Sequence, residues 1–249
     1  MKIIEPITIV LAGPPKIGKT HLALTASNDR RTYSFDSEHG QDFVIHRHFS
    51  ENKQLTKYDV TSYLQLKEDM NEVVSASNPG DFLILDSFTD ILSIFDEQVE
   101  KEVEMANVKK KNENTQIPYY AKYGRVDKRL IKILDIAKNK KKMNLILTVH
   151  VDPVYRQDAK GVSTETGRLT AKLRKKYAHF VDVIGVYQLD KNYWDFTTSR
   201  FKMFHNHWTI ETDPSKSTML ELIHGLQNPI LLEMPEGNKA FRFHPNPNF

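Results

Sequence analysis

The sequence predicts an α/β domain with a largely parallel central sheet and flanking helices, and three observations carry that expectation. Short apolar runs alternate with helically striped segments along most of the 249 residues. One such run, ITIVLAG, opens directly into GPPKIGKT and then a helix start at residues 19–24. Another, FLILDS, is apolar until Asp86, as in a strand buried on both faces that delivers one polar group at its carboxyl end.

The elements follow in order. ITIVLAG reads as a buried strand and Lys19 to Ala26 as the helix after it. RTYSFDSE is a second strand and TKYDV a short third. Ser62 and Gln65 form a capping box for a helix striped by Leu66, Met70 and Val73. NPGD turns the chain into FLILDS, and SFTDILSIFDEQVEKEVEMA is helical. The polar NVKKKNENTQIP is expected as a mobile loop before a helix that aligns Val126, Leu130, Ile133, Leu134 and Ala137. NLILTVHV is another buried strand, while FVDVIGVYQLD and FTTSRFKMFHNHW read as closing strands, the latter as a hairpin. From Asp213 the chain holds five of its eleven prolines and no clear periodicity beyond TMLELIHGL. The expected organisation is therefore a core over 1–210 and a C-terminal extension over 211–249.

Composition narrows the function. Hydrophobic residues make up 39% and charged residues 27%, as in globular proteins. No apolar run reaches the roughly 18 residues that span a membrane, and MKIIEPITIV reads as a first strand, not a signal peptide. With no cysteine, disulfides and thiolate metal sites are excluded, and an intracellular location is expected. The net charge of +3 alone announces no nucleic-acid partner. The runs KKK and KNKKK are expected to solvate helix ends.

GPPKIGKT fits G-x-x-x-x-G-K-[ST] between a strand and a helix, the context in which that spacing binds phosphate. Gly13, Pro14, Pro15, Lys16, Ile17 and Gly18 are the loop residues expected to surround the phosphates, through backbone N–H groups of the loop and the helix start. Lys19 reaches the β- and γ-phosphates of ATP, and the Thr20 hydroxyl ligates Mg2+. A magnesium nucleotide needs a second acid near the metal, and Asp86 at its strand end is the candidate. Asp36 and Glu38 fall on one face of an extended SFDSE by the period-two rule. Glu38, nearer the strand end, is the candidate base for an attacking water.

These segments resemble the RecA recombinase family. YSFDSEHGQD is similar to its strand ending in Asp, a small residue and the catalytic Glu, and FLILDSFTDIL to its Walker-B strand. LILTVH resembles the next strand, which ends in a polar residue sensing the γ-phosphate, here His150. Lys16, the D-S-E triplet and the terminal His together look most like the bacteriophage RecA-like ATPases that promote single-strand annealing. The resemblance covers about residues 5–190. It implies a RecA-like P-loop NTPase core, ATP hydrolysis stimulated by single-stranded DNA, and the cytoplasm of a bacterial host. It also implies a homo-oligomer, ring or filament, and a single-strand-binding protein as a possible further partner. The N-terminal filament domain of RecA and its aromatic linker motif have no counterpart in the pattern.

In that family the segment after the sensing strand is a mobile loop that contacts DNA. Here Arg156 to Lys176 carries seven Lys or Arg against two acids. Arg156, Lys160, Arg168, Lys172, Arg174, Lys175 and Lys176 are the candidate phosphate contacts, with Tyr155 and Tyr177 placed to stack on bases. His46 with His48, and His205 with His207, would each share a face if extended, but no cysteine or evident carboxylate completes a zinc set. Trp194 and Trp208 read as core or interface aromatics. Two alternatives stay open: a helicase-type motor of the RecA superfamily, and a small-molecule P-loop kinase. No N-K-x-D or T-K-x-D sequence follows a strand, as base reading in a GTPase requires; TKYD at 56–59 is itself read as strand.

Overall fold

The computed structural model describes residues 6–108, 121–157, 161–178, 180–188, 191–196, 208–212 and 241–245. Along the chain these form β1 (Thr8–Ala12), α1 (Lys19–Leu24) with a 3-10 turn at Thr25–Asn28, β2 (Thr32–Asp36), α2 (Gln41–His48), β3 (Leu55–Asp59), α3 (Tyr63–Ala76) and β4 (Phe82–Asp86). Then come α4 (Phe88–Val108), α5 (Ala121–Asp135) with a π turn at Ile136–Lys140, β5 (Asn144–Val149), β6 (Val151–Gln157), β7 (Ser163–Ala171) and α6 (Lys175–Ala178). The sheet is completed by β8 (Val183–Gln188), β9 (Lys191–Phe196), β10 (Trp208–Thr212) and β11 (Phe241–Pro245).

The central sheet runs β11-β10-β9-β8-β1-β5-β4-β2-β3. Its six strands from β8 to β3 are all parallel, and β9, β10 and β11 extend it antiparallel. Register puts Ala12 beside Val149 and Asp36 beside Asp86. The carboxyl ends of β1, β2, β4 and β5 therefore line up along one edge, where ligands bind open α/β sheets.

Period-two alternation divides the core into two layers. Val10, Leu83, Leu85, Leu145 and Leu147 face α3, α4 and α5, meeting Met70, Phe95, Leu130 and Leu134. Ile9, Leu11, Ile84 and Ile146 face the other way and pack on Leu22 and Leu24 of α1. The helix after the glycine loop is thus anchored to the strand before it. The capping box holds in part: Ser62 Oγ accepts from Gln65 N at 3.3 Å.

Several expectations change. The stretch after His150 is no loop within residues 151–157 and 161–171 but an antiparallel hairpin of β6 and β7, separate from the central sheet. His46 and His48 lie on α2, so no extended face pairs them. Lys138 does not solvate a helix end, because the π turn brings it inside, 2.5 Å from Asp182. The polar 109–120, most of the hairpin expected at 196–208, His205, His207 and TMLELIHGL lie outside the described residues. Phe196 and Trp208 are in β9 and β10. The boundary expected after 210 falls within β10, and β11 in the proline-rich tail pairs with that same strand. Among the described residues no helix is long and apolar enough to cross a membrane.

Candidate functional site

The glycine loop leaves β1 at Ala12 and enters α1 at Lys19. Its members do not contribute alike. Gly13 is buried and its N–H donates to Val149 O at 3.3 Å, so that group is committed to the sheet. Pro14 and Pro15 have no N–H to offer a phosphate. Pro15 begins an exposed turn with Lys16 and can shape the loop without donating to a phosphate. The amides of Lys16, Ile17 and Gly18 and of the first turn of α1 remain as donors. Gly18 sits at φ +102°, a backbone conformation that side chains disfavour. A Cβ there would meet nothing within 4 Å, so the requirement for glycine is conformational and not steric. Gly18→Ala should therefore cost roughly 1–2 kcal/mol, read as a lowered midpoint in thermal or urea unfolding. Lys16 also has positive φ, 62°.

Lys19 Nζ donates to Gly13 O at 2.9 Å and Pro14 O at 2.8 Å, arching over its own loop. Burial pulls the Lys19 pKa down while Asp86 and Glu38 oppose it. An ammonium held on two neutral carbonyls is a charge for which a phosphate is the better partner.

Asp86 ends β4 and is buried. Thr20 Oγ1 donates to its Oδ2 at 2.9 Å, Gln41 Nε2 donates to the same oxygen at 3.0 Å, and Thr148 Oγ1 donates to Oδ1. Burial raises its pKa, and the hydrogen bonds from Thr148, Thr20 and Gln41 work against that rise. Asp86 does not cap α4, which begins at Phe88; the Asp86–Ser87 peptide is cis. Two buried polar atoms beside it, Gln41 Oε1 and Ser87 Oγ, have no hydrogen-bond partner among the described residues. A buried carboxylate, a hydroxyl and orphaned oxygens form the hard donor set that suits hydrated magnesium. Thr20 and Asp86 are the residues that would hold it.

Glu38 is not placed as period-two extension predicted. β2 stops at Asp36, whose carboxylate accepts from Gly40 N at 3.3 Å and Gln41 N at 2.9 Å and so closes a turn. Asp36 is thereby buried, while Glu38 swings out of the strand and stays half-exposed. Its Oε1 lies 3.2 Å from His150 Nε2, which is also 3.5 Å from Asp90 Oδ2. Burial pushes the Glu38 pKa up; His150 opposes, while Asp90 and Asp86 raise it further. A carboxylate with a raised pKa, open to water, is suited to take a proton.

Sequence reasoning brought Lys19, Thr20, Asp86, Glu38 and His150 to this edge, and the structure assembles them there. It missed three contributors. Gln41 comes from the first turn of α2, Asp90 from the first turn of α4 and Thr148 from β5. Thr148 had a legible signal, a lone polar residue in an apolar strand, two positions before the expected sensor.

The basic segment divides. Arg156, Lys172, Lys175 and Lys176 are exposed, with Lys172 4.0 Å from Asp152 and Lys176 3.5 Å from Asp127. Arg168 lies in β7, and Lys160 is outside the described residues. Arg174 is turned inward, paired with Asp96 and Asp127 and set over the Tyr123 ring, so its charge is already matched. Tyr177 is buried against Phe88 and cannot stack on a base, whereas Tyr155 is exposed.

A family model described as an AAA domain matches residues 5–215. No curated protein matches the chain.

Proposed function

As the chain belongs to the AAA domain family of P-loop nucleotide-binding proteins, we propose that it hydrolyses magnesium–ATP and couples that hydrolysis to single-stranded DNA. One observation carries the reading. β5 lies between β1 and β4, so the strand that ends at the Glu38–His150 pair emerges between the phosphate loop and Asp86. A water-activating group thus stands beside the place where a γ-phosphate is held.

The loop amides and Lys19 bind and orient the phosphates. Thr20 and Asp86 would hold the magnesium, which would supply charge neutralisation for the phosphoryl oxygens. Glu38 accepts the proton of the attacking water, and His150, within hydrogen-bond reach, holds that carboxylate in place. A kinase would have to keep water from the reacting phosphate; Glu38, 49% exposed, faces it. Asp90 tunes the base. Asp90→Asn removes a neighbour that raises the Glu38 pKa, so the acid limb of the pH–rate profile should move to lower pH. An unmoved limb would contradict the assignment of that limb to Glu38.

The DNA part is supported by connectivity. The β6–β7 hairpin starts at the residue after His150, and Lys172 N donates back to His150 O at 2.9 Å. Cations on this arm are therefore tied to the group that touches the base. The finer assignment, to the annealing-promoting RecA-like ATPases of bacteriophages acting as homo-oligomers, is supported by YSFDSEHG and the His at the end of β5. Replacing Arg156 and Lys172 at this arm, together with Lys175 and Lys176 of the α6 that follows it, with Ala should weaken single-strand binding about equally across sequences. It should also flatten the log–log salt dependence by about 0.7 for each phosphate no longer neutralised and leave ATP affinity unchanged. An unaltered salt slope would place the DNA elsewhere.

A further inference from the structure

Gln41 is fully buried, yet only half of its side chain is explained. Its Nε2 donates to Asp86 Oδ2 at 3.0 Å, and its Oε1 has no partner among the described residues. The two ends of a carboxamide look alike in outline, so chemistry has to settle which is which. Asp86 Oδ2 is already the acceptor for Thr20 Oγ1, so the NH2 end faces it and the carbonyl oxygen is the orphan. The amide O and N share one carbon, which keeps Oε1 within about 5 Å of Asp86 Oδ2. Thr20 Oγ1 is 2.9 Å from that same oxygen. It is a buried acceptor left unpaired beside the two residues assigned to the cation.

We infer that Gln41 is a positioning residue for the magnesium. Its NH2 aims Asp86, and its Oε1 accepts a hydrogen bond from a water carried by the cation. Magnesium keeps several of its waters when bound to proteins, so an acceptor just outside the ligand set has a ready donor. The backbone fixes the side chain for this use, because Gln41 N is itself bonded to Asp36 Oδ2 at 2.9 Å. The inference rests on the assignment of Thr20 and Asp86 as the metal-holding residues.

The test measures ADP affinity by calorimetry in magnesium and in EDTA, for the wild type, Gln41→Leu and Gln41→Glu. The wild type should bind more tightly with magnesium. In Gln41→Leu the magnesium-dependent gain should shrink at least about tenfold, with EDTA affinity kept. Gln41→Glu keeps an acceptor oxygen but loses the donor that aims Asp86 and sets a second carboxylate against it, so it should keep more of the gain than Gln41→Leu. It also decides the matter should Gln41→Leu fail to fold. Equal loss in both variants, or loss in EDTA as large as in magnesium, would reduce Gln41 to a prop for Asp86 and overturn the inference. An undiminished gain in Gln41→Leu would do the same. A wild type indifferent to magnesium would overturn the metal assignment itself, and this inference with it.

Discussion

Lys19→Ala should lower ATP affinity by about two to three orders of magnitude and remove hydrolysis, while the protein without nucleotide unfolds at nearly the wild-type temperature. The two halves of this result have different causes. In the nucleotide-free protein the ammonium satisfies only Gly13 O and Pro14 O, both in a loop that reaches solvent. In the variant water replaces the ammonium on those carbonyls, so the loss costs little without nucleotide. In the complex the same ammonium meets phosphate charge, and removing one partner of a desolvated charge pair costs roughly 3–5 kcal/mol. At about 1.4 kcal/mol per factor of ten, that difference sets the expected loss. Fluorescent-nucleotide titration beside thermal unfolding measures both. Wild-type affinity in the variant would show that phosphate is not bound at this loop.

Glu38→Gln separates binding from chemistry. The amide keeps the size of the side chain and its reach to His150, but it cannot accept a proton from water. Hydrolysis should fall about two to four orders of magnitude while ATP still binds. The pH dependence adds a second sign. Burial holds the Glu38 pKa above the ordinary glutamate range, and the base works only when ionised. Wild-type turnover should therefore fall as pH drops through that raised value, and the residual rate of the Gln variant should lack this limb. Unchanged hydrolysis in Glu38→Gln would make the carboxylate a bystander.

The middle of the sheet was legible because β1, β4 and β5 are buried along their whole length, which leaves continuous apolar runs such as ITIVL and FLILD. The hairpin of β6 and β7 was not. Its base packs on the core through Val151 and Ala171, but the rest carries polar residues along both strands and has Pro153 beside a register shift, so period-two patterning never develops. In the site, the glycine loop and Asp86 could be read because each is a local arrangement of one strand and its turn. Gln41, Thr148 and Asp90 come from α2, β5 and α4, and only the fold brings them to Asp86, Glu38 and His150. Lys138 shows the same limit in the core. A run of lysines signals solvent, and only the π turn together with Asp182 selects one of them for burial. Arg174 was misread for the reverse reason: its basic neighbours suggested an open patch, while Asp96 and Asp127 lie 78 and 47 residues away in sequence.

The bound γ-phosphoryl group should pass to water, and turnover of magnesium–ATP in 18O-labelled water, with nucleosides present as competing acceptors, decides it. Inorganic phosphate should carry one solvent oxygen per turnover and form faster with single-stranded DNA. Phosphate appearing on an acceptor, or released without solvent label, would rule out transfer to water.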